Sequence, residues 1–403
     1  VNAPVVTGLG VAAPTGLDVE AYWQATVRGH SGIRSITRFD ATGYPLRLAG
    51  EVPDFVAEEH LPGRLLPQTD RMTRLSLYAA EQALTDAGVP AVEGVRYDVG
   101  VATASSMGGF EFGQRELENL WSKGGSHVSA YQSFAWFYAV NSGQISIRHN
   151  LRGPGAALVT DHAGGLDAVG HARRQIRRGT PVVLTGGVDG ALCPLGLAGW
   201  LSTGGFSTRD DPSRAYLPFD VDADGAVPGE GGAHLVLEDA ESARARGARV
   251  YGELAGYAAT FDPAGVPATG LRRAITGALR DAGITPADVD LVFADGAGDR
   301  VADRTEAADL AEVFGPRRVP VTAPKSTVGR LQAGAAALDL ATALLAIRDG
   351  VAPHTVGVDA PAPDCPIDLV TGEPRSLPLH RVLVVARGRG GFNAAAVLRR
   401  VAP

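Results

Sequence analysis

Few side chains in this 403-residue sequence suit covalent or proton-transfer chemistry. Cysteine occurs twice, at Cys193 and Cys365, too few for a disulfide scaffold or a Cys-based zinc site. Lysine also occurs twice, at Lys123 and Lys325, among 37 basic residues. Such a bias suggests drift from Lys to Arg in a GC-rich genome, so a lysine that survives it is a functional candidate. Lys325 stands in Pro324-Lys325-Ser326-Thr327-Val328-Gly329-Arg330. His162 stands in Thr160-Asp161-His162-Ala163-Gly164-Gly165-Leu166-Asp167, where a helix signal begins at Gly164. Asp295 stands in Phe293-Ala294-Asp295-Gly296-Ala297-Gly298. Gly8-Leu9-Gly10-Val11-Ala12-Ala13 matches a dinucleotide fingerprint loosely, but Pro14 would spoil the helix that must receive a pyrophosphate. A tight turn is the better reading of these glycines. There is no Gly-Lys-Ser/Thr phosphate loop, no His-Glu-x-x-His and no Gly-x-Ser-x-Gly. P-loop enzymes, zincins and typical serine hydrolases are thereby excluded.

The elements that must position these residues alternate between strand and helix. Pro4 to Thr7 reads as a short buried strand ending at Gly8, Asp70 to Gly88 as a helix capped by Thr69 or Asp70, and Tyr97 to Thr103 as a strand. Gly164 to Gly179 reads as a helix and Pro181 to Thr185 as the strand after it. Ala83-Leu84-Thr85-Asp86-Ala87-Gly88-Val89 recurs as Ala278-Leu279-Arg280-Asp281-Ala282-Gly283-Ile284, each copy ending a helix in glycine. A second echo pairs Leu166-Asp167 and Gly179 with Leu338-Asp339 and Gly350. Two echoes in one order predict a duplicated α/β chain, with halves 1–250 and 251–403.

Composition sets the outer limits. The balance of 37 basic against 44 acidic residues gives a net charge of −7, which disfavours a nucleic-acid partner. Mean hydropathy is +0.03, and no run of 18 apolar residues exists to span a membrane. Val1-Asn2-Ala3-Pro4 lacks the basic-then-apolar order of a signal peptide, so a cytoplasmic location is expected. Glycine, at 52 residues, is nearly twice its usual ~7% share, as glycine-rich turns would require.

Together these stretches resemble the β-ketoacyl synthase family, with Pro218-Phe219-Asp220, Gly229-Glu230-Gly231-Gly232, Thr7-Gly8-Leu9-Gly10 and Gly388-Arg389-Gly390-Gly391-Phe392-Asn393 completing the order. The resemblance spans nearly the whole chain. It implies an α/β, thiolase-like fold with duplicated halves in αβαβα layers. In that family a cysteine at a strand-to-helix elbow carries the acyl chain, and two histidines and a lysine assist. Here the cysteine slot holds His162, the two histidine slots hold Asp295 and Arg330, and only Lys325 keeps its identity. An acyl-imidazole hydrolyses readily, Asp295 would repel a malonyl carboxylate, and Arg330 cannot shuttle protons near neutral pH. The sequence therefore resembles the chain length factor, or ketosynthase beta subunit, of type II polyketide synthases. Ser133-Phe134-Ala135-Trp136-Phe137-Tyr138-Ala139-Val140-Asn141 looks like that subfamily in particular. Members usually carry Gln where this chain has His162. The resemblance implies a catalytic ketosynthase alpha subunit as partner, an acyl carrier protein, and a growing polyketide on phosphopantetheine, with no cofactor or metal on this chain. An alternative is a malonyl-carrier-protein decarboxylase using His162 and Lys325.

In the family the growing chain enters a tunnel at the heterodimer interface, and side chains of the length factor close it. The gate follows a Gly-Gly-Phe turn, here Gly108-Gly109-Phe110, and continues at Gly113 and Leu117, with a further position at Leu195 after Cys193-Pro194. The spacing of 110, 113 and 117 puts three gates on one helix face. Octaketide members carry two bulky aromatics and a Thr among these positions. Gly113, Leu117 and Leu195 are smaller, which predicts a decaketide or longer product. Arg173, Arg174, Arg177 and Arg178 suggest a basic helix face, either solvated or a dock for an acidic carrier. Arg387 and Arg389 replace family phenylalanines, which by the resemblance suggests that this chain's own pocket is closed to condensation.

Overall fold

The computed structural model describes residues 3–89, 94–264 and 268–401, so Val1 and Asn2, part of the leader reading, lie outside it. The main sheet is built from β1 (Pro4–Ala12), β2 (Val99–Ala104), β3 (Gly155–Leu158), β4 (Val182–Asp189), β5 (Gly231–Asp239), β6 (Gly252–Phe261), β7 (Leu291–Phe293), β8 (Pro320–Thr322), β9 (Asp368–Leu369), β10 (Arg381–Gly388) and β11 (Phe392–Arg399). Its order is β9-β8-β7-β10-β11-β6-β1-β5-β4-β2-β3.

Outward from the central β1–β6 contact, the N-terminal half reads first, fifth, fourth, second, third strand, and the C-terminal half repeats that order once its additional edge strand β9 is set aside. In each half the fifth strand runs antiparallel to the first and fourth, while the fourth, second and third are parallel. The duplication read from two short echoes is therefore a duplication of topology. β5 ends at Asp239 and β6 begins at Gly252, on either side of residue 250.

The helices that carry the argument are α1 (Arg71–Asp86), α2 (Phe110–Lys123), α3 (Gly164–Arg177), α4 (Pro194–Thr203), α5 (Gly270–Ala282), α6 (Arg300–Phe314) and α7 (Ala333–Asp349). The echoed segments end α1 and α5, where Gly88 and Gly283 have φ of +61° and +68°, a conformation that costs glycine nothing. α1 packs on β1, β4 and β5, and α5 on β6 and β11. The second echo lies in α3 and α7, which pack against each other and against strands of both halves. They form the middle layer. Ala333 to Ile347 is buried on every side of α7, as expected of a helix apolar all round. Among the described residues no helix is long and apolar enough to cross a membrane.

One expectation fails. β1 does not stop at Gly8 but runs to Ala12, with a register shift between Val6 and Gly8. Gly8 and Gly10 are interior strand residues, not a turn. A Cβ on either would strike the Ala83 or Ala79 carbonyl of α1, so these glycines let helix and sheet approach closely.

Candidate active site and gate helix

Three chain segments meet around His162. The first leaves β3, turns through Asp161–Ala163, and enters α3 at Gly164. Asp161 has φ +52°, a left-handed conformation rare outside glycine and often found where a side chain is presented at a functional elbow. Arg389 Nα donates to Asp161 Oδ2 at 2.7 Å, tying the elbow to the loop after β10. Burial pushes the Asp161 carboxyl up, but the His162 imidazole and the Arg389 amide outweigh it and hold it low. His162 is 4% exposed. Its pKa is pushed down to about 4, first by burial and then by the Arg330 charge. The ring is neutral near pH 7. Its Nε2 stands 3.8 Å from Asp161 Oδ2, beyond hydrogen-bond reach, and its Nδ1 has no hydrogen-bond partner.

The second and third segments bring Asp295, two residues past β7, against Arg330, three residues before α7. Arg330 donates to both carboxylate oxygens at 3.1–3.2 Å, and both side chains are buried. Arg387 Nα donates to Asp295 Oδ1 at 3.1 Å. Burial pushes Asp295 up, but Arg330, Lys325 and Arg387 together hold its carboxyl well below the usual carboxylate range. Burial opposes the Arg330 charge, yet Asp295 outweighs it and keeps the guanidinium charged. The two former histidine slots thus form one closed ion pair. Behind it Glu306, on α6, accepts the Asp295 and Gly296 amides at 2.7 and 3.0 Å. Nothing in the spacing of the sequence marked Glu306 as part of this site. Burial pushes its carboxyl up to about 7.

Lys325 stands apart. Its Nζ is 2.7 Å from Asp339 Oδ2 on α7 and donates to Ala294 O at 2.9 Å. A cavity of about 350 Å³ is lined by His162, Phe206, Asp295, Arg330, Arg387 and Arg389, among others, and Lys325 is not part of its wall. Arg389 is turned aside, its guanidinium over the Phe206 ring at 5.1 Å and donating to Gly204 O at 3.1 Å, and Arg387 donates to Ala302 O at 3.0 Å. The space persists, and the side chains around it have changed. Cys193 and Cys365 are both buried, and burial pushes each thiol up to about 11.

The gate positions expected from the sequence gather around α2. Asp70, buried at the start of α1, accepts Met72 Nα with one oxygen and Phe112 Nα with the other, each at 2.8 Å. One carboxylate caps two helices, and burial pushes it up to about 6. Arg38 adds ion pairs to Glu111 on α2 and to buried Glu230. Phe110, Gly113 and Leu117 lie along α2, and Leu195 begins the second position of α4. Gln114 Oε1 accepts Leu195 Nα at 2.8 Å and brings that residue to the gate helix. Phe110 packs beside Leu192, Leu197 and Trp200, whereas Leu117 and Leu195 are 42% and 38% exposed.

The basic stripe at the end of α3 loses one member: Arg174, Arg177 and Arg178 are exposed, but Arg173 is not. Arg173 is buried, donates to Leu254 O and Ala255 O, and pairs with Asp281 at 2.6 Å. Arg177 reaches the same Asp281, and Arg174 stacks over Tyr257. Arg173, Arg174 and Arg177 thus tie α3 to the C-terminal half. Among the described residues no cluster of His, Cys, Asp and Glu is placed to hold a metal.

Comparison with known proteins agrees with this geometry. Residues 3–243 match the β-ketoacyl synthase N-terminal domain family and 251–359 the C-terminal one. The tetracenomycin polyketide synthase ketoacyl synthase beta subunit of Streptomyces glaucescens is 59% identical over 400 residues, 98% of each chain. The 3-oxoacyl-[acyl-carrier-protein] synthase 2 of Coxiella burnetii is 35% identical over 406 residues, 98% of each. The solved ishigamide ketosynthase/chain length factor superposes over the full length of both chains with a TM-score of 0.91 at 31% identity. A type II PKS acyl-carrier protein in complex with its hexaketide-bound ketosynthase gives 0.89 at 28%, again over both full chains. With the family's layered fold, its elbow and its paired halves all present, the chain belongs to the β-ketoacyl synthase family.

Proposed function

We propose that this chain is the non-condensing, length-setting subunit of a type II polyketide synthase. It works in the cytoplasm beside a catalytic ketosynthase alpha subunit and shapes the tunnel for a poly-β-ketone of decaketide length or longer. The chain grows on the phosphopantetheine of an acyl carrier protein. One observation carries the reading. Where a condensing site needs a thiol and two imidazoles, this chain has a neutral buried imidazole beside a closed Asp295–Arg330 pair. Neither member of that pair is free to polarise a thioester or stabilise a carboxylate's departure. Gly113, Leu117 and Leu195 are as a set smaller than the two aromatics and Thr of octaketide members, which supports a longer tunnel. The partner surface is supported by an apolar face on which Leu117, Trp121, Tyr131, Trp136, Phe137, Tyr138 and Ile147 are all at least 39% exposed, beside the unpaired outer edge of β3.

The decarboxylase alternative needs Lys325 and His162 together at one substrate. Lys325 is spent on Asp339 and lies outside the cavity wall, so no observation favours it. The experiment is intact-mass spectrometry of the co-purified subunits after brief incubation with malonyl-carrier protein. Polyketide mass on the partner alone is the expected result. An acyl adduct on this chain would overturn the reading.

A further inference from the structure

Among the gate positions Gly113 is unusual: it is a buried glycine, fourth in α2, that no backbone conformation requires. Its φ is not positive, and a Cβ built there meets only one atom within 4 Å, the Cβ of Trp136 at 3.6 Å. Residues 113 and 136 therefore face each other across otherwise open space. Trp136 is fixed there by its main chain. Gly109 Nα donates to Trp136 O at 3.0 Å, and Gly108, at φ +68°, packs where any Cβ would overlap that same carbonyl. Gly109 is held just as closely against Ala135 O. The two glycines before α2 thus clasp the 135–138 segment to the first turn of the gate helix. The Trp136 indole itself is not core: it is 49% exposed and meets Phe137 edge-on with ring centroids 6.4 Å apart.

From this juxtaposition we infer that Trp136 is the specificity-determining wall opposite Gly113, and that the pair, rather than α2 alone, sets where the tunnel stops. The inference rests on the length-setting reading above. A side chain added at 113 grows toward Trp136, and a side chain removed at 136 opens the space that Gly113 leaves. The two positions must then be coupled. Their effects on product length depart from additivity, as expected of residues in contact.

The test uses the reconstituted heterodimer with its carrier protein and reads the carbon number of the released polyketide by mass spectrometry. Four variants are compared: Gly113→Phe, Trp136→Ala, the double variant, and Trp136→Leu, which keeps an apolar side chain at the surface should the alanine fail to assemble. The expected results are a shorter product from Gly113→Phe, a product longer by one or more two-carbon units from the Trp136 variants, and a double variant returned toward the parent. Parental length from both Trp136 variants, with Gly113→Phe still shortening the product, would overturn the role of Trp136 and leave the length-setting function standing. Parental length from every variant, including Gly113→Phe, would overturn the gate reading and the inference with it.

Discussion

The Asp295–Arg330 pair offers a quantitative test of how the active site was closed. Both side chains are under a tenth exposed, and the carboxylate also accepts the Arg387 amide. Removing one partner leaves the other charge buried and unpaired, which costs about 3–5 kcal/mol. Arg330→Met and Asp295→Asn should each lose roughly that much. Asp295→Asn/Arg330→Met should cost no more than either alone, since it removes both charges together. At about 3 kcal/mol per molar urea, a loss of ~4 kcal/mol lowers the unfolding midpoint by ~1.3 M. The pH dependence follows from the depressed Asp295 carboxyl. Its contribution is complete above the unfolded value near ~3.9 and disappears as pH falls toward the lower folded value. Urea unfolding of the purified complex, followed by circular dichroism at pH 7 and again well below the unfolded carboxylate value of ~3.9, measures both. Additive single and double losses, or single variants within ~0.5 kcal/mol of the parent, would refute the argument that the pair is one closed unit.

Three further outcomes are expected. His162 is held near a pKa of about 4 against an unfolded value near ~6.5, so it contributes stability above ~6.5 that is lost as pH falls toward 4, on the order of 3 kcal/mol for so buried a ring. His162→Gln should flatten the unfolding midpoint between those pH values, and an unchanged slope would contradict the assignment. Gly113→Thr with Leu117→Phe should shorten the polyketide in the reconstituted complex, read by mass spectrometry. Iodoacetamide at pH 8 should leave Cys193 and Cys365 unalkylated in the native chain, because both thiols are buried and pushed up to about 11. Rapid labelling of either would show a reachable thiolate.

The duplicated fold was legible because both echoes fall on helices that the topology repeats. Ala83 to Gly88 and Ala278 to Gly283 end the outer helices, and Leu166-Asp167 and Leu338-Asp339 lie in the central pair. The glycines of β1 misled because Gly-x-Gly after apolar residues has two physical causes. A turn needs positive φ, whereas close packing needs only a missing Cβ, and one sequence cannot separate them. Arg173 on α3 misled similarly. Helical spacing places Arg173 near its neighbours but does not say that its guanidinium reaches the carbonyls of Leu254 and Ala255 across the boundary between halves. Glu306, Gln114 and the double cap of Asp70 were invisible because each acts on backbone amides distant in sequence.

The losses at His162, Asp295 and Arg330 make more physical sense together than singly. An acid alone in the first histidine slot would stand buried beside the carboxylate of Glu306, and an arginine alone in the second would lose its bidentate partner and keep only the weaker attraction of Asp161. Each substitution is costly without the other, and together they form one buried, bidentate ion pair. The cavity was not filled in the process: about 350 Å³ remains between the pair and the Arg387–Arg389 loop. Condensing chemistry can thus be abolished while the elbow, the layers and the shape of the chain are kept. That combination suits a subunit whose task is to present α2 and the 135–138 segment to a tunnel, because those elements depend on Asp70, Arg38 and the Gly108–Gly109 clasp and on none of the three altered positions.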